Sequence, residues 1–599
     1  MLGNGSLAAS ADTPFGQEAM LKLAAWLRNL PDTYRHIFRL RAQDLNPSFP
    51  TKYPQGIPMA ADPPDDRGEG SILPGRDDTT YNVRRNLDRM MAELLLDVGA
   101  WATGLSDTFF HALPIPAASG PNLYDHDNYF AALQLAGPDP MMLARVTDPG
   151  QLPPLLRNQD PLIRDGQIPS DFKEALAQGR IYQTDFRRYA YVRAGTPYGG
   201  VPGPAGRFVT WPCAVFIASQ DRRGMSALMP VAIALDPPPR MYNPESGQLV
   251  TAFARNNDAA KSYWSWETAK RIFLTAAANY HELGTHLGRT HLVMERYALA
   301  TYRQLPPWHP VGRLLRPHFK FMVATNYDAV QNLINRGGPI DVNFCTKVDD
   351  LLEIAKDAYA TWDLRQHGGI ENDLRLRGVD DPGRLPWFPY RDRGLPIYRA
   401  IRSFVEAYLG LWYVDGQAVF QDVGLPDWNA AIANEYGGGR AAAPLPNLVP
   451  PAASAADLLD QLVTACTNII WTCGPQHSAV NYTQYPFLAD AKTLPFGIHT
   501  SAPDMDKNPA GMFNTPRDRI RDQAAVITRL SAFRYDQLGH SKADSGYLSE
   551  YGDLGDPNKP WAPVVKGFQS ALGAIPNQQE APWGYDFLYP DKIINAISI

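Results

Sequence analysis

The chain has 599 residues, of which 45% are apolar and 11% aromatic, so it can bury a large hydrophobic core. Its net charge is -6 and its Lys and Arg residues are spread along the chain, which argues against a nucleic-acid-binding protein. The four cysteines lack zinc or disulfide spacing, which is typical of a reducing compartment, and no stretch has the ~18 apolar residues of a membrane span. We expect a cytoplasmic protein; secretion stays open if a signal peptide has been removed.

Residues 1–95 carry two helical patterns joined by a Pro-, Asp- and Gly-rich connection at residues 42–82. In the first pattern, Met20, Leu23 and Leu27 recur at helical spacing with Lys22 nearby. This stripe could form a lid or a membrane-contacting helix, or it could simply pack on the rest of the chain. We therefore interpret residues 1–95 as a helical N-terminal extension.

The remainder is predicted to be mainly α-helical with a small β-sheet region. Residues 208–219 and 228–237 are rich in β-branched and apolar side chains and are separated by a turn-like segment, which predicts a β-hairpin. Long helices are expected from about residue 260 onward. The low-complexity residues 437–457 are interpreted as a loop within the helical region.

The most informative stretch is NYHELGTHLGRTHL at residues 279–292. It resembles the HExxH pattern of zinc proteases, but three residues separate Glu282 from His286. His281 and His286 are therefore five residues apart, about 140° around an ideal helix, and cannot bind one metal as HExxH histidines do. A zinc-protease function is not supported.

The wider set of histidines indicates a metal site. His477 and Asn481 lie four residues apart and share one helical face. His286 and His291 can share a face only if their helix contains a π-type turn, which is found mostly at functional sites. Three imidazoles with a weak amide oxygen suit a redox-active metal such as iron better than magnesium or calcium. For any single histidine the ordinary alternative is a hydrogen-bonded core residue.

The run HELGTHLGRTHLVMERYALATYRQLPPWHPVGRLLRPHF, residues 281–319, resembles the lipoxygenase signature of five spaced histidines. Further similar segments follow the family's order: LQLAGPDP, LPWFPYRDRGLPIYRAIRSFVEAYL, QHSAVNYTQYPF and the terminal NAISI. The resemblance extends over roughly residues 95–599 and implies a lipoxygenase-type helical catalytic domain at residues 96–599. No succession of strands precedes it, so we expect a bacterial-type member without the N-terminal PLAT β-barrel domain.

The resemblance also implies the metal ligands and the reaction. The ligands would be His286, His291, His477, Asn481 and the terminal carboxylate of Ile599. The implied cofactor is one non-haem iron per chain, with manganese as the alternative. An iron(III) hydroxide would abstract hydrogen from the bis-allylic methylene of a polyunsaturated fatty acid, and O2 would then add, with no further catalytic side chain. The other signature histidines, His281, His309 and His318, are expected to hydrogen-bond within the core.

Further roles are implied around the metal. Glu282 and Gln484 would support the ligands, and the pocket would be shaped by Leu283, Ala329, Leu333, Ile340, Asn343 and Phe344. Ala329 implies an S-hydroperoxide, and the bulky Phe344 implies 13S oxygenation of linoleate or 15S oxygenation of arachidonate. The cation for the substrate carboxylate is left open between Lys492 and a nearby Arg. We expect a monomer. A hydroperoxide isomerase and a non-catalytic fatty-acid-binding protein are the alternative functions.

Overall fold

The computed structural model describes residues 126–597 with gaps, of which the longest are 193–209, 236–249, 499–522 and 541–553. The predicted N-terminal extension lies outside the described residues, and so do Lys492 and Ile599. No helix in the described part of the chain combines the length and apolar character needed to cross a lipid bilayer.

Helices dominate, as the sequence predicts. The α-helices are α1 (Asp127–Ala136), α2 (Gln159–Arg164), α3 (Phe172–Ala177), α4 (Lys261–Tyr280), α5 (Val293–Gln304), α6 (Pro310–Leu315), α7 (Met322–Asn332), α8 (Pro339–Asn343), α9 (Val348–Ala360), α10 (Ile370–Arg377), α11 (Pro389–Leu409), α12 (Gly416–Phe420), α13 (Leu425–Ala430), α14 (Gly439–Ala442), α15 (Leu458–Trp471), α16 (His477–Asn481), α17 (Gln484–Leu488) and α18 (Ala562–Gly573). Helix α14 lies inside the segment predicted as a loop, so this segment contains one helical turn. Short 3-10 helices occur at Pro149–Gln151, Pro154–Arg157, Arg187–Tyr189, Arg316–Phe319 and Leu538–His540.

The predicted hairpin is the centre of a five-stranded antiparallel sheet with strand order β1-β2-β3-β4-β5. The strands are β1 (Leu143–Arg145), β2 (Ile181–Asp185), β3 (Cys213–Ala218), β4 (Leu228–Leu235) and β5 (Val250–Phe253). Alternate side chains of β3 enter two different apolar clusters: Val215 packs in a small cluster on one face, while Phe216 joins the main core on the other. Because both faces are covered, β3 is apolar throughout instead of alternating with polar residues.

Two long helices are widened by π-helical segments and meet in the main core. We call His281–Leu292, between α4 and α5, the first π-segment, and Thr472–Gln476, between α15 and α16, the second π-segment. A third such stretch is Ala431–Glu435. The π-type turn predicted for the histidine run is thereby confirmed.

A polar cluster anchors the start of α6. His309 accepts a hydrogen bond from the Val311 backbone N–H at Nδ1, so its Nε2–H donates to Asp422, 3.1 Å away. Tyr413 donates its hydroxyl to the same carboxylate at 2.6 Å. Burial alone would raise the pKa of Asp422, but the hydrogen bonds from His309 and Tyr413 outweigh it and bring that pKa to about 2. The prediction that His309 hydrogen-bonds within the fold is confirmed.

The lowered pKa of Asp422 predicts a pH-dependent stability difference. Ionised Asp422 stabilises the fold above its ordinary pKa of 3.8, and this contribution is lost as the pH falls through about 2. At pH 7 we expect Asp422→Asn to lower the free energy of unfolding by about 1–3 kcal/mol. The difference from the parent protein should shrink steadily between pH 4 and pH 2.

Urea denaturation at a series of pH values measures this difference. Asp380 is exposed, so Asp380→Asn serves as the control and should change stability by less than about 0.5 kcal/mol. A pH-independent difference for Asp422→Asn would contradict the assignment.

Candidate metal centre

Three buried imidazoles converge in the core. His286 and His291 come from the first π-segment and His477 from the first residue of α16. One ring nitrogen of each histidine lies within 4.8 Å of the others, and the Nε2 atoms of His286 and His291 are 3.1 Å apart. The three residues are 0–5% exposed. This is the arrangement that the sequence spacing predicts.

Small residues allow the first π-segment to pack closely against its surroundings. A Cβ atom on Gly288 would lie 2.7 Å from the Cβ of Ala358, so α9 can approach only because residue 288 has no side chain. Thr290 donates its hydroxyl to the Thr285 carbonyl oxygen at 2.9 Å, a bond across five residues that follows the wide helical turn. These contacts hold the widened backbone that brings the histidines onto one face.

The surroundings keep the two neighbouring histidines neutral. Burial lowers the pKa of His286, despite its hydrogen bond to Glu282. Burial and the nearby His286 together lower the pKa of His291 to about 3. Neutral imidazole is the form that coordinates metals, so both rings are in the metal-binding state at neutral pH.

Glu282 and Gln484 contact the outer side of His286. The Nδ1 atom of His286 lies 3.3 Å from a Glu282 carboxylate oxygen and 3.2 Å from Gln484 Nε2. Gln484 Nε2 donates to Asn481 Oδ1 at 3.0 Å, so Gln484 lies between His286 and α16. Burial would raise the pKa of Glu282, but the neighbouring imidazoles of His281 and His286 bring it to about 2. The structure thus brings both predicted supporting residues to the histidine cluster.

Asn326 contacts the outer nitrogen of His291, and the sequence did not predict this contact. Its Oδ1 lies 2.9 Å from His291 Nδ1, and the residue is fully buried on α7. The only sequence signal is its position three residues before Ala329, on the same helical face.

This donor set fits a transition metal. His291 donates its Nδ1–H to Asn326, so its Nε2 carries a lone pair directed at the cluster. A carboxylate, Glu282, lies beside the outer nitrogen of His286, as is usual for metal-binding histidines. Three converging imidazoles, of which those of His286 and His291 are neutral, suit iron, zinc, nickel or copper and are a poor match for magnesium or calcium.

A small apolar cavity adjoins the cluster. Most of its walls are aliphatic, and His286 and His291 form part of them; the complete lining is Glu282, Leu283, His286, Leu287, His291, Thr325, Ala329, Leu333, Ile334, Ile340 and Leu530. Four predicted pocket residues are therefore brought together: Leu283, Ala329, Leu333 and Ile340. Leu287, Thr325, Ile334 and Leu530 were missed, because ordinary core residues look the same in a sequence.

Two predicted pocket residues are placed elsewhere. Asn343 donates to the Pro339 carbonyl oxygen at 2.9 Å, and Phe344 stacks on Phe496 with ring centroids 4.3 Å apart. Neither is among the described residues that line the cavity. Their role in setting its depth stays a prediction.

The chain's last described residues pass beside the cluster. Ser478, next to His477, accepts a hydrogen bond from the Ile594 N–H at 3.1 Å, and His318 Nδ1 donates to the Asn595 carbonyl oxygen at 2.9 Å. His281 Nε2 donates to the Val480 carbonyl oxygen at 2.9 Å. The expectation that His281 and His318 hydrogen-bond within the core is confirmed.

Comparison with known proteins identifies one family. The family model for lipoxygenase matches residues 214–532, which include the three clustered histidines. Linoleate 9/13-lipoxygenase of Pseudomonas aeruginosa is 31% identical over 532 residues, which cover 85% of this chain and 72% of the relative. Hydroperoxide isomerase ALOXE3 of Homo sapiens is 28% identical, over 79% of this chain and 62% of the relative.

Solved structures agree with the fold. A lipoxygenase crystallised anaerobically in complex with arachidonate matches with a TM-score of 0.67 and 23% identity, over 88% of this chain and 76% of that chain. This likeness confirms the expected mainly helical fold with a small sheet.

The close approach of Ile594 to Gly474 predicts that a methyl group at residue 474 destabilises the protein. A Cβ atom on Gly474, in the second π-segment, would lie 2.9 Å from the Ile594 carbonyl oxygen. We expect Gly474→Ala to lower the free energy of unfolding by about 1–3 kcal/mol, because backbone rather than a flexible side chain must move. Gly567→Ala in α18 is the matched control, since nothing lies within 4 Å of its added Cβ, and it should stabilise the protein by about 0.5–1 kcal/mol.

Urea denaturation midpoints of both variants provide the comparison. If Gly474→Ala and Gly567→Ala shift the midpoint equally, the close contact with the tail has no energetic consequence.

Proposed function

Because the chain belongs to the lipoxygenase family, we propose that it is a non-haem iron dioxygenase that inserts O2 into polyunsaturated fatty acids. One observation carries the proposal: two of the three clustered histidines, His286 and His291, are neutral and form part of the wall of an apolar cavity. A redox metal held there would face a hydrocarbon chain directly. Linoleate and arachidonate are the proposed substrates.

The proposed ligands are His286, His291, His477, Asn481 and the Ile599 carboxylate. The first four lie on two helices that meet in the core, and Ile594, five residues before the C-terminus, is bonded to Ser478. We favour iron over manganese. When bound, ferric iron supplies the acceptor for a hydrogen atom from the bis-allylic methylene of the substrate.

The remaining work is done by the chain's own residues. Leu283, Leu333 and Leu530 line the cavity with branched apolar side chains that would hold the pentadiene and exclude water. Ala329 has the smallest side chain in the wall and would leave space for O2 beside the substrate. From Ala329 we propose S-configured products, and from Phe344 a preference for 13S or 15S oxygenation.

Oxygen uptake and ultraviolet absorbance in the presence of linoleic or arachidonic acid test the reaction. We expect O2 consumption with a growing conjugated-diene signal. His477→Gln should lower both iron content and O2 uptake, the latter by at least about 100-fold, because losing even a residue that only supports a ligand costs about 10–100-fold. His309→Gln is the control and should keep its iron, because His309 bonds to Asp422 and belongs to a separate cluster.

Other outcomes would separate the alternative functions. Turnover of fatty-acid hydroperoxides without O2 uptake would favour a hydroperoxide isomerase, the activity named for the human relative. Fatty-acid binding by a protein that takes up no metal would leave the binding-protein alternative.

The stereochemical proposal predicts the effect of Ala329→Gly. Removing this methyl group from the cavity wall should open space at a second carbon of the pentadiene and shift products from S towards R. Ala298→Gly, a buried alanine outside the cavity lining, controls for general loosening. Chiral chromatography of the hydroperoxides gives the ratio, and an unchanged ratio in Ala329→Gly would refute the assignment.

A further inference from the structure

His291 is connected to a second buried carboxyl group through an asparagine. Asn326 Oδ1 lies 2.9 Å from His291 Nδ1, and Asn326 Nδ2 donates to a Glu295 carboxylate oxygen at 2.7 Å. Asn326 is 0% exposed and Glu295 2% exposed. The connection therefore lies in the protein interior, where hydrogen bonds are little weakened by water.

The orientation of the Asn326 amide is fixed by its surroundings. Besides Glu295, its Nδ2 group donates to the backbone carbonyl oxygen of His291 at 3.3 Å. A carbonyl oxygen can only accept, so exchanging Nδ2 and Oδ1 would place two acceptors in contact. Oδ1 must therefore face His291 Nδ1.

This orientation decides which nitrogen of His291 carries the proton. Since Oδ1 only accepts, Nδ1 must donate, and the neutral ring holds its lone pair at Nε2. Nε2 is the atom that lies 3.1 Å from His286 Nε2, at the centre of the cluster. The opposite tautomer would point an N–H group at the metal.

We propose that Glu295 and Asn326 are positioning residues that hold His291 in its metal-binding tautomer, with Glu295 acting only through Asn326. The inference rests on the proposed metal-binding function of the cluster. It also explains why Glu295 is buried. The Glu295 carboxyl group orients the Asn326 amide, and this amide orients the His291 imidazole. Partners of this kind raise the basicity of a histidine ligand and fix its ring orientation.

The test is a double-mutant cycle on Fe²⁺ affinity. Glu295→Gln, Asn326→Leu and the double variant are compared with the parent full-length protein by anaerobic competition against a chelator. Asn326→Leu should weaken Fe²⁺ binding about 10–100-fold, because the tautomer is no longer fixed. Glu295→Gln should weaken it several-fold, since the glutamine can still accept from Asn326 but carries no charge.

The decisive comparison is the double variant. If Glu295 acts through Asn326, Glu295→Gln adds nothing, within about twofold, to the effect of Asn326→Leu. Equal losses in both backgrounds would overturn the coupling. Asn468→Leu is the matched control: Asn468 is also a buried helical asparagine, but it bonds to Leu364 and Tyr398. Its variant should lose stability without losing Fe²⁺ affinity.

A second measurement determines the tautomer of His291 in the parent protein, with Asn326 and Glu295 unchanged. In metal-free full-length protein with ¹⁵N-labelled histidine, the resonances lost in His291→Gln should show a protonated Nδ1 and an unprotonated Nε2. A protonated Nε2 in the parent protein would overturn the proposal. If the parent protein binds no Fe²⁺, the proposed function fails; if it binds but Asn326→Leu has unchanged affinity, only the present inference fails.

Discussion

The convergence of His286 and His291 on one point depends on the widened turns of the helix that carries them. On an ideal α-helix, residues five apart are about 140° apart, so His286 and His291 could not serve one metal. The first π-segment adds a residue per turn and brings the Nε2 atoms of the two rings to 3.1 Å. Gly288 lets this wider backbone pack against α9. Packing thus keeps a helix form that is rare in proteins.

The second π-segment has a local chemical cause. Pro475 has no N–H and its ring clashes with the carbonyl group four residues earlier, so an ordinary α-helix would break or kink there. Widening the helix accommodates the proline, and the helix continues directly into His477. Gly474 in the same turn leaves room for Ile594. One short stretch therefore sets the direction of His477 and lets the C-terminal tail approach it.

The predictable features were those encoded in local spacing. The hairpin of β3 and β4, the π-type turn and the shared face of His477 and Asn481 all follow from short-range patterns. Strands β1, β2 and β5 have three to five residues and were not predicted, because they are ordered by pairing rather than by their own sequence. Asn326 reaches His291 across 35 positions, and Leu530 joins the cavity from still farther along the chain. Such contacts leave no periodic signal.

The carboxyl groups around the cluster follow the same helix geometry. Glu282 precedes His286 by four residues and Glu295 follows His291 by four, and both side chains are buried, at 5% and 2% exposed. Glu282 contacts Nδ1 of His286 directly, and Glu295 is connected to Nδ1 of His291 through Asn326. Because both act on Nδ1, neither competes for the inner nitrogens. A cation at the centre would therefore meet two neutral imidazoles, those of His286 and His291, made more basic by hydrogen bonding, while both buried acids keep partners of their own.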